Sequence, residues 1–372
     1  MTIEMKNNKN NNCNFPTLRF PEFSGEWKKD IIGNVISVKS EKYNPHSNRT
    51  EFICVELESI SQGTGELLET FNSAEQKSIK NKFSPGTVLF GKLRPYLRKF
   101  YLPYFEGVCS SEIWVMRSNK IEPAFLYSFI QTPYFISLAN QSSGSKMPRA
   151  DWGLIETSKI AYPPNSAERV KIGKFLKLID ERIATQNKII AHLESLIKGL
   201  TNQLLIPNSN WQPTTIGQVL TINPGKDYKH LKEGNIPVYG TGGYMLSVND
   251  YLYDGESVCI GRKGTINKPI FLTGKFWTID TLFYTSNFNS LLPRFGYYLF
   301  KTIDWLKYNE ASGVPSLSKV SIEKIHISLP SLAIQNSICR LLDSIYDKLA
   351  LEESVLNNHQ TQKAFILQQM FI

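Results

Sequence analysis

The chain has few cysteines and scatters them: Cys13, Cys54, Cys109, Cys259 and Cys339 form no C-x-x-C pair and no Cys/His cluster. That spacing argues against both a zinc site and a disulfide framework, and it fits a reducing cytoplasm. Long apolar runs are missing too. No stretch approaches the ~18 residues that span a bilayer, and the first fifteen residues are rich in Asn and Lys, so neither a membrane segment nor a secretory leader is expected. The 5 histidines make no H-E-x-x-H and no nucleophile–base pattern.

Motifs for chemistry on nucleotides are equally scarce. The glycine-rich VYGTGGY at 238–244 is followed by MLSVNDYLYDGESV, which reads as turn and strand where a dinucleotide fingerprint needs a helix. It is therefore read as a turn. YPPN at 162–165 differs on both sides of its prolines from the Asn/Asp-Pro-Pro-aromatic motif of amino-group methyltransferases. The chain has no Pro-Asp dipeptide, and EQK at 75–77 has no acidic partner at a suitable upstream spacing, so the convergent carboxylates that a metal-dependent nuclease needs are not expected. No catalytic residue and no metal ligand is assigned.

What is present is enough apolar residue, 41% of 372 positions, to fill two cores, together with a net charge of +9. A basic balance suits a polyanion, although a generally basic soluble protein would show the same number. The opening MTIEMKNNKNNNCN is polar low-complexity sequence, so residues 1–17 are read as a disordered tail. The rest divides into a mixed module (18–165), a helical stretch (166–206), a second mixed module (207–333) and a second helical stretch (334–372).

The two modules echo each other in order. WKKDIIGNV from Trp27 answers WQPTTIGQV from Trp211, FSPGTVLFGKLRP answers YDGESVCIGRKGT, SSGSKMP at 142–148 answers ASGVPS at 311–316, and IAYPP at 160–164 answers ISLPS at 327–331. Short apolar runs punctuated by Gly, Pro and Asn read as strands, with helices expected over 123–139 and 294–306. Each module is thus α/β or α+β.

The helical stretches carry heptads. In the first, Ile172, Ile179, Gln186, Leu193 and Leu200 share one seam position, and Leu176, Ile183, Ile190, Ile197 and Leu204 the other. In the second the positions are Ile338, Ile345, Glu352, His359 and Ile366, then Leu342, Leu349, Leu356, Lys363 and Met370, which grows ragged toward its C-terminal end. Two such stripes should pack on each other, antiparallel, with Gln186 and Glu352 at equivalent places fixing the register. Two amphipathic helices that each cover their own module are the other solution.

Candidate binding residues recur in both modules. Between Lys77 and Tyr104 there are seven cations and no acid, with tyrosines and phenylalanines interleaved. From these we single out Lys92, Arg94, Arg98 and Lys99, and in the second module Arg262, Lys263 and Lys268. Lys146 and Arg149 in the Gly/Ser loop are added, with Lys39, Lys42 and Arg49 as a further possibility. Cations at a glycine turn can neutralise phosphates or reach a guanine edge, whereas a lone run of this kind is often a solvated face.

The ordered set LRFPEFSGEW, GKLRPYLRK, IAYPPNSAERVKIGKFLKLIDERI, GRKGTINK and ISLPSLAIQNSICRLLDSI resembles the DNA-specificity subunit of type I restriction-modification systems, from about Leu18 onward. The resemblance implies two target recognition domains, separated by two long helices in an antiparallel coiled coil, that read the halves of a split sequence in double-stranded DNA. It also implies a bacterial or archaeal, cytoplasmic and nucleoid-associated protein without its own catalysis. Such a subunit docks two adenine-N6 methyltransferase subunits and restriction/translocase subunits, and S-adenosylmethionine, ATP and Mg are expected on those partners. The family's Glu-Gln after the prolines stands here as Glu168-Arg169 and Ile334-Gln335. A non-enzymatic coiled-coil scaffold with an incidental basic surface stays open, as does a stand-alone methyltransferase or nuclease.

If the helices act as a ruler, deleting one heptad from each should shorten the unread gap and leave both half-sequences unchanged. Methylation at an unaltered spacing would refute this.

Overall fold

A computed structural model describes residues 4–5, 14–47, 50–141 and 147–372. Two compact units emerge, one of Met1–Ile189 with Glu352–Ile372 and one of Ile190–Leu351. No helix among the described residues is long and apolar enough to cross a membrane.

In the first unit a five-stranded sheet runs Lys42–Tyr43, Lys80–Phe83, Gly107–Cys109, Ile53–Val55, Phe71–Asn72, beside a three-stranded sheet of Ile113–Met116, Val88–Gly91 and Phe100–Tyr101. Only Gly107–Cys109 and Ile53–Val55 pair in parallel among these strands. The second unit repeats the frame with four-stranded sheets, Thr221–Asn223, Leu282–Ser286, Ser257–Gly261, Ile270–Leu272 and Gly243–Val248, Glu233–Gly240, Lys275–Thr278, Tyr253–Asp254. Its parallel pair is Glu233–Gly240 with Lys275–Thr278. The glycine-rich VYGTGGY is the turn of a hairpin, as its sequence suggests.

Proline divides one expected helix. The stretch 123–139 forms Pro123–Phe129 and Pro133–Ala139, because Pro133 fixes an N-terminal position and Thr132 caps it through the Phe135 amide. In the second unit, Pro293–Thr302 is followed by a separate 3-10 turn, Trp305–Tyr308. The tail expectation is corrected at Glu4–Met5, which pairs antiparallel with Leu18–Arg19; a bare strand edge offers amides and carbonyls to any neighbouring backbone. Residues 1–3 and 6–13 of that tail lie outside the described set. Four cysteines, Cys54, Cys109, Cys259 and Cys339, are buried and in no disulfide. Burial pushes the thiols of Cys54 and Cys259 up to about 12, so they serve as small apolar core residues.

The Trp-x5-Gly echo has a packing reason. Strands Lys28–Ile31 and Gln212–Thr215 pair with Lys159–Tyr162 and His326–Leu329, the strands that lead to the prolines. Just after the first strand of each pair, Gly33 and Gly217 abut Glu156 and Glu323, where a Cβ would come within 3.1 and 2.8 Å of the Glu Cβ. Only glycine admits that approach without displacement.

The long helices are α1, Ser166–Leu204, and α2, Leu332–Met370. All twenty heptad positions, Lys363 and His359 included, are buried or half-buried. In the first unit the Gln186 amide donates to the Glu352 carbonyl at 3.0 Å and to its carboxylate, and Lys363 pairs with Asp180. The α1 number falls as the α2 number rises, so these segments run antiparallel. The same helix ends enter the module cores: Ile172, Leu176, Leu367 and Met370 join Trp27 and Phe125, while in the second unit Leu205, Ile338 and Leu342 join Trp211 and Phe295. Both packing solutions weighed from the sequence are therefore used at once.

Arg169, which departs from the family's Gln, and Gln335, which keeps it, occupy the fourth residue of each helix and do one job. Arg169 donates to the Pro163 and Pro164 carbonyls at 2.7 and 3.0 Å and grips Glu122, the residue before helix Pro123–Phe129, at 2.7 and 3.1 Å. Gln335 donates to the Pro330 and Ser290 carbonyls at 2.9 Å and accepts from the Leu292 amide at 2.8 Å, just before helix Pro293–Thr302. In the first unit the start of α1 is also held by Glu168, which takes two bonds from Arg19 (2.7 and 2.8 Å) and one from Trp27 Nε1 (3.2 Å). Both charges of that pair are buried. Glu168→Ala would strand the Arg19 guanidinium, so urea unfolding should show a loss of about 3–5 kcal/mol; a loss under about 1 kcal/mol would mean the pair is dispensable.

Candidate nucleic-acid interface

The sequence echo GKLRP/GRKGT becomes a geometric repeat. Strand Val88–Gly91 is buried throughout, and the chain leaves it at Lys92. The Lys92 amide donates to the Glu112 carbonyl (2.9 Å), the Arg94 amide to the Pro148 carbonyl (2.7 Å), and the Ala150 amide to the Lys92 carbonyl (2.8 Å). The second unit makes the same three bonds: Arg262 to Thr281 (2.7 Å), Gly264 to Pro315 (2.9 Å), and Leu317 to Arg262 (2.9 Å). Isolated bridges Leu93–Arg149 and Lys263–Ser316 complete the clamp. Lys92, Leu93 and Arg94 thus correspond to Arg262, Lys263 and Gly264. In each unit the loop after the central strand is stitched to the proline that ends the Gly/Ser segment.

The third position needs a left-handed backbone. Arg94 has φ 51 and Gly264 φ 88. Glycine adopts that conformation without strain, whereas arginine there costs about 1–2 kcal/mol. The first unit therefore accepts strain to put a cation where the second has none.

The side chains divide into free and committed groups. Arg94, Lys263 and Lys268 are exposed and Lys92 is half-buried, and none of the four has a side-chain partner among the described residues. Arg149 is half-exposed and pairs with Glu112 at 3.0 Å. Arg262 is exposed, reaches the Asp280 carbonyl at 3.4 Å and lies 5.9 Å over the Phe283 ring. Arg98 and Lys99 are committed to carbonyls: Arg98, still exposed, donates to the Gln131 carbonyl (3.2 Å) and half-buried Lys99 to the Leu57 carbonyl (2.7 Å). Desolvation lowers the pKa of both. Elsewhere in the acid-free run, Lys80 pairs with Glu56 and Lys82 with Glu41 at 3.3 Å. Lys42, from the further possibility, donates to Asn81 at 2.6 Å. Lys146 and Arg49 lie outside the described residues. Among those described, no group of three His, Cys, Asp or Glu could hold a metal ion.

The modules differ most beside this clamp. The parallel pairs place Val55 and Tyr239 at one structural position, opposite Cys109 and Thr278. After Val55 the chain makes an excursion that returns at Phe71–Asn72. Its Leu57 side chain lies over Gly91, its Leu57 carbonyl takes Lys99, and its Gly63 amide donates to the Arg98 carbonyl (3.0 Å). After Tyr239 the chain turns back at once through Gly240–Gly243, and Thr241 Oγ1 stands 3.6 Å from where a Gly264 Cβ would be. The excursion covers Lys99, while its counterpart Lys268 stays open. Tyr244 (62% exposed) and Met245 (46%) extend the same hairpin. Sequence reasoning identified the glycine turn but not its neighbour, since that adjacency depends on sheet order.

Comparison with known proteins gives one consistent result. The family described as type I restriction modification DNA specificity domain matches residues 24–195 and 208–359. A putative type I restriction enzyme specificity subunit of Haemophilus influenzae is 25% identical over 159 residues, 41% of this chain and 40% of that protein. The type I restriction enzyme EcoDI specificity subunit of Escherichia coli is 23% identical over 218 residues, 55% of this chain and 48% of that one. The chain thus spans about half the length of the curated relatives it matches. Among solved structures, the type I restriction-modification S subunit from M. genitalium aligns over 100% of this chain and 99% of its own, with TM-score 0.65 and 17% identity. A chain from a study of complex assembly and conformational transition of the type I R-M system covers 92% of this chain and 96% of its own, with TM-score 0.58 and 18% identity. Both share the fold.

Since glycine stands at the Arg94 position in the second unit, Arg94→Gly should change urea-unfolding stability by no more than about 1 kcal/mol. Arg94→Val should lose about 1–2 kcal/mol, because a β-branched side chain resists the left-handed region. A glycine variant less stable than the valine one would contradict the assigned backbone.

Proposed function

The chain belongs to the family defined by the type I restriction modification DNA specificity domain, and from that premise we propose that it is a specificity subunit that reads a bipartite sequence in duplex DNA. Each module contacts one half-sequence. The subunit directs partner adenine-N6 methyltransferase and restriction/translocase subunits to that site, in the cytoplasm of a bacterium or archaeon. Catalysis resides on those partners, which hold S-adenosylmethionine, ATP and Mg.

The observation that carries this reading is the repeated clamp. Two loops held by the same three backbone bonds each carry cations without a side-chain partner, Lys92 and Arg94 in one and Lys263 with nearby Lys268 in the other. A rigid backbone carrying free cations is what phosphate contact requires, and a guanidinium on such a backbone can also make two bonds to a guanine edge. A scaffold would need neither the clamp nor its repetition. The different hairpins beside the two clamps give each module its own surface, which suits two unlike half-sequences.

Single-molecule mapping of N6-methyladenine with and without the gene tests the proposal. One split motif, two short halves around a fixed gap, should lose methylation on deletion. An unchanged methylome in a strain that expresses the methyltransferase partner would overturn it.

A further inference from the structure

The second helix carries a lysine in its seam, and that lysine is not at the surface. Lys363 is 8% exposed. Its ammonium pairs with Asp180 of α1, donates to the Gln131 side-chain carbonyl, and lies 5.8 Å from the Phe100 ring centre. Gln131 is buried, donates to the Tyr127 carbonyl at 2.9 Å, and accepts the Arg98 guanidinium on its own backbone carbonyl at 3.2 Å. A polar path therefore runs Asp180, Lys363, Gln131, Arg98, from both long helices to the end of the clamped loop. A cavity of about 250 Å³ lined by Gln62, Thr64, Arg98, Asp180, Gln360 and Lys363 follows the same path.

The second unit lacks this connection. The heptads place Ile197 where Lys363 stands and Tyr346 where Asp180 stands, and the module helices place Lys301 at the position of Gln131. Ile197 is buried, and Lys301 donates to the Tyr346 hydroxyl at 2.5 Å. No bond there reaches the loop Arg262–Lys268 from the helices among the described residues. An apolar seam thus serves one module, so a buried ion pair in the other is not needed to hold helices together. Such a pair is generally no more stabilising than apolar residues of similar volume.

We propose that Lys363 is a positioning residue for DNA reading by the first module: it holds Gln131, and through it Arg98, so that Lys92 and Arg94 meet their half-sequence in one geometry. The inference rests on the DNA-reading function proposed above, and two readouts separate their failures. The variant is the double substitution Lys363→Met with Asp180→Asn, which removes the cation without leaving a buried carboxylate; Lys363→Arg is the conservative control.

In hydrogen exchange on the purified full chain, the Gly91, Arg94, Leu97 and Arg98 amides should exchange about 10-fold faster in the double variant, with Arg262 and Gly264 unchanged. In methylation mapping with partners present, discrimination should fall about 10-fold in the half-sequence that responds to Arg94→Ala and not in the other, and Lys363→Arg should restore it. Unchanged exchange in the 91–98 loop overturns the positioning role whether or not any motif is methylated. Equal loss in both halves, with a lowered melting temperature, assigns Lys363 to stability alone and also overturns it. Absence of any split motif for the unaltered chain refutes the DNA-reading proposal, while the exchange experiment still decides the coupling.

Discussion

Everything in this chain depends on the first turn of each long helix being held to the module it leaves. A helix start presents amides without intrahelical partners, and its direction is undefined unless something outside fixes it. Here one buried side chain, the fourth residue of the helix, bonds to a proline carbonyl before the helix and to the entrance of a neighbouring helix. Arg169 achieves this with charge and therefore needs the Glu122 carboxylate; Gln335 is neutral and needs only backbone groups. The residue types differ because the partners differ, and the constraint is the same. With the helix starts fixed, Ile172 and Ile338 fall on their module cores and the seam begins in phase.

A duplicated frame can diverge only where backbone hydrogen bonding does not depend on the side chain. The clamps obey that rule: the bonds of Lys92, Arg94 and Ala150 are repeated by Arg262, Gly264 and Leu317 although none of these three donors is the same residue in both. Side chains and hairpin length change freely around them. One module covers its clamp with an excursion and a lysine capped by a carbonyl, and the other leaves the corresponding lysine open beside an exposed tyrosine. A scaffold kept constant in backbone and varied in tips permits a change of surface without a change of fold.

The heptad seam was legible in sequence because a period of seven is local, and every residue assigned to it is buried or half-buried, including Gln186 and Glu352, which pair as their equivalent places suggested. The strand that enters each proline, and the glycine that lets a helix approach it, were legible as a repeated order. The cations were less so. An acid-free run of twenty-eight residues (77–104) looks like an open basic face, yet Glu56, Glu41 and Glu112 reach it or its neighbourhood from elsewhere in the chain. The carbonyls that take Arg98 and Lys99 are equally remote in sequence. Composition counts charges, but only the fold decides which are neutralised. Lys363 shows the reverse: it broke the apolar pattern and read as raggedness, whereas its partner Asp180 on the other helix makes it part of the seam.

The two polar contacts of the seam fix a single register because their side chains differ in length. Opposite Gln186 stands Glu352, so in an antiparallel pair Asp180 should stand opposite position 358, five residues before Lys363. Five residues are roughly 7.5 Å of helix, too far for two short side chains. A lysine, however, leans toward its helix N-terminus, and its four-carbon stem spans most of that gap. Lys363 can therefore meet Asp180 only when Gln186 meets Glu352. A slip of one heptad, about 10 Å, would part both contacts and leave Asp180 and Lys363 buried without each other, a penalty that apolar seam residues alone would not impose. Length mismatch between a short acid and a long base thus gives the seam a directionality that the repeated isoleucines and leucines lack.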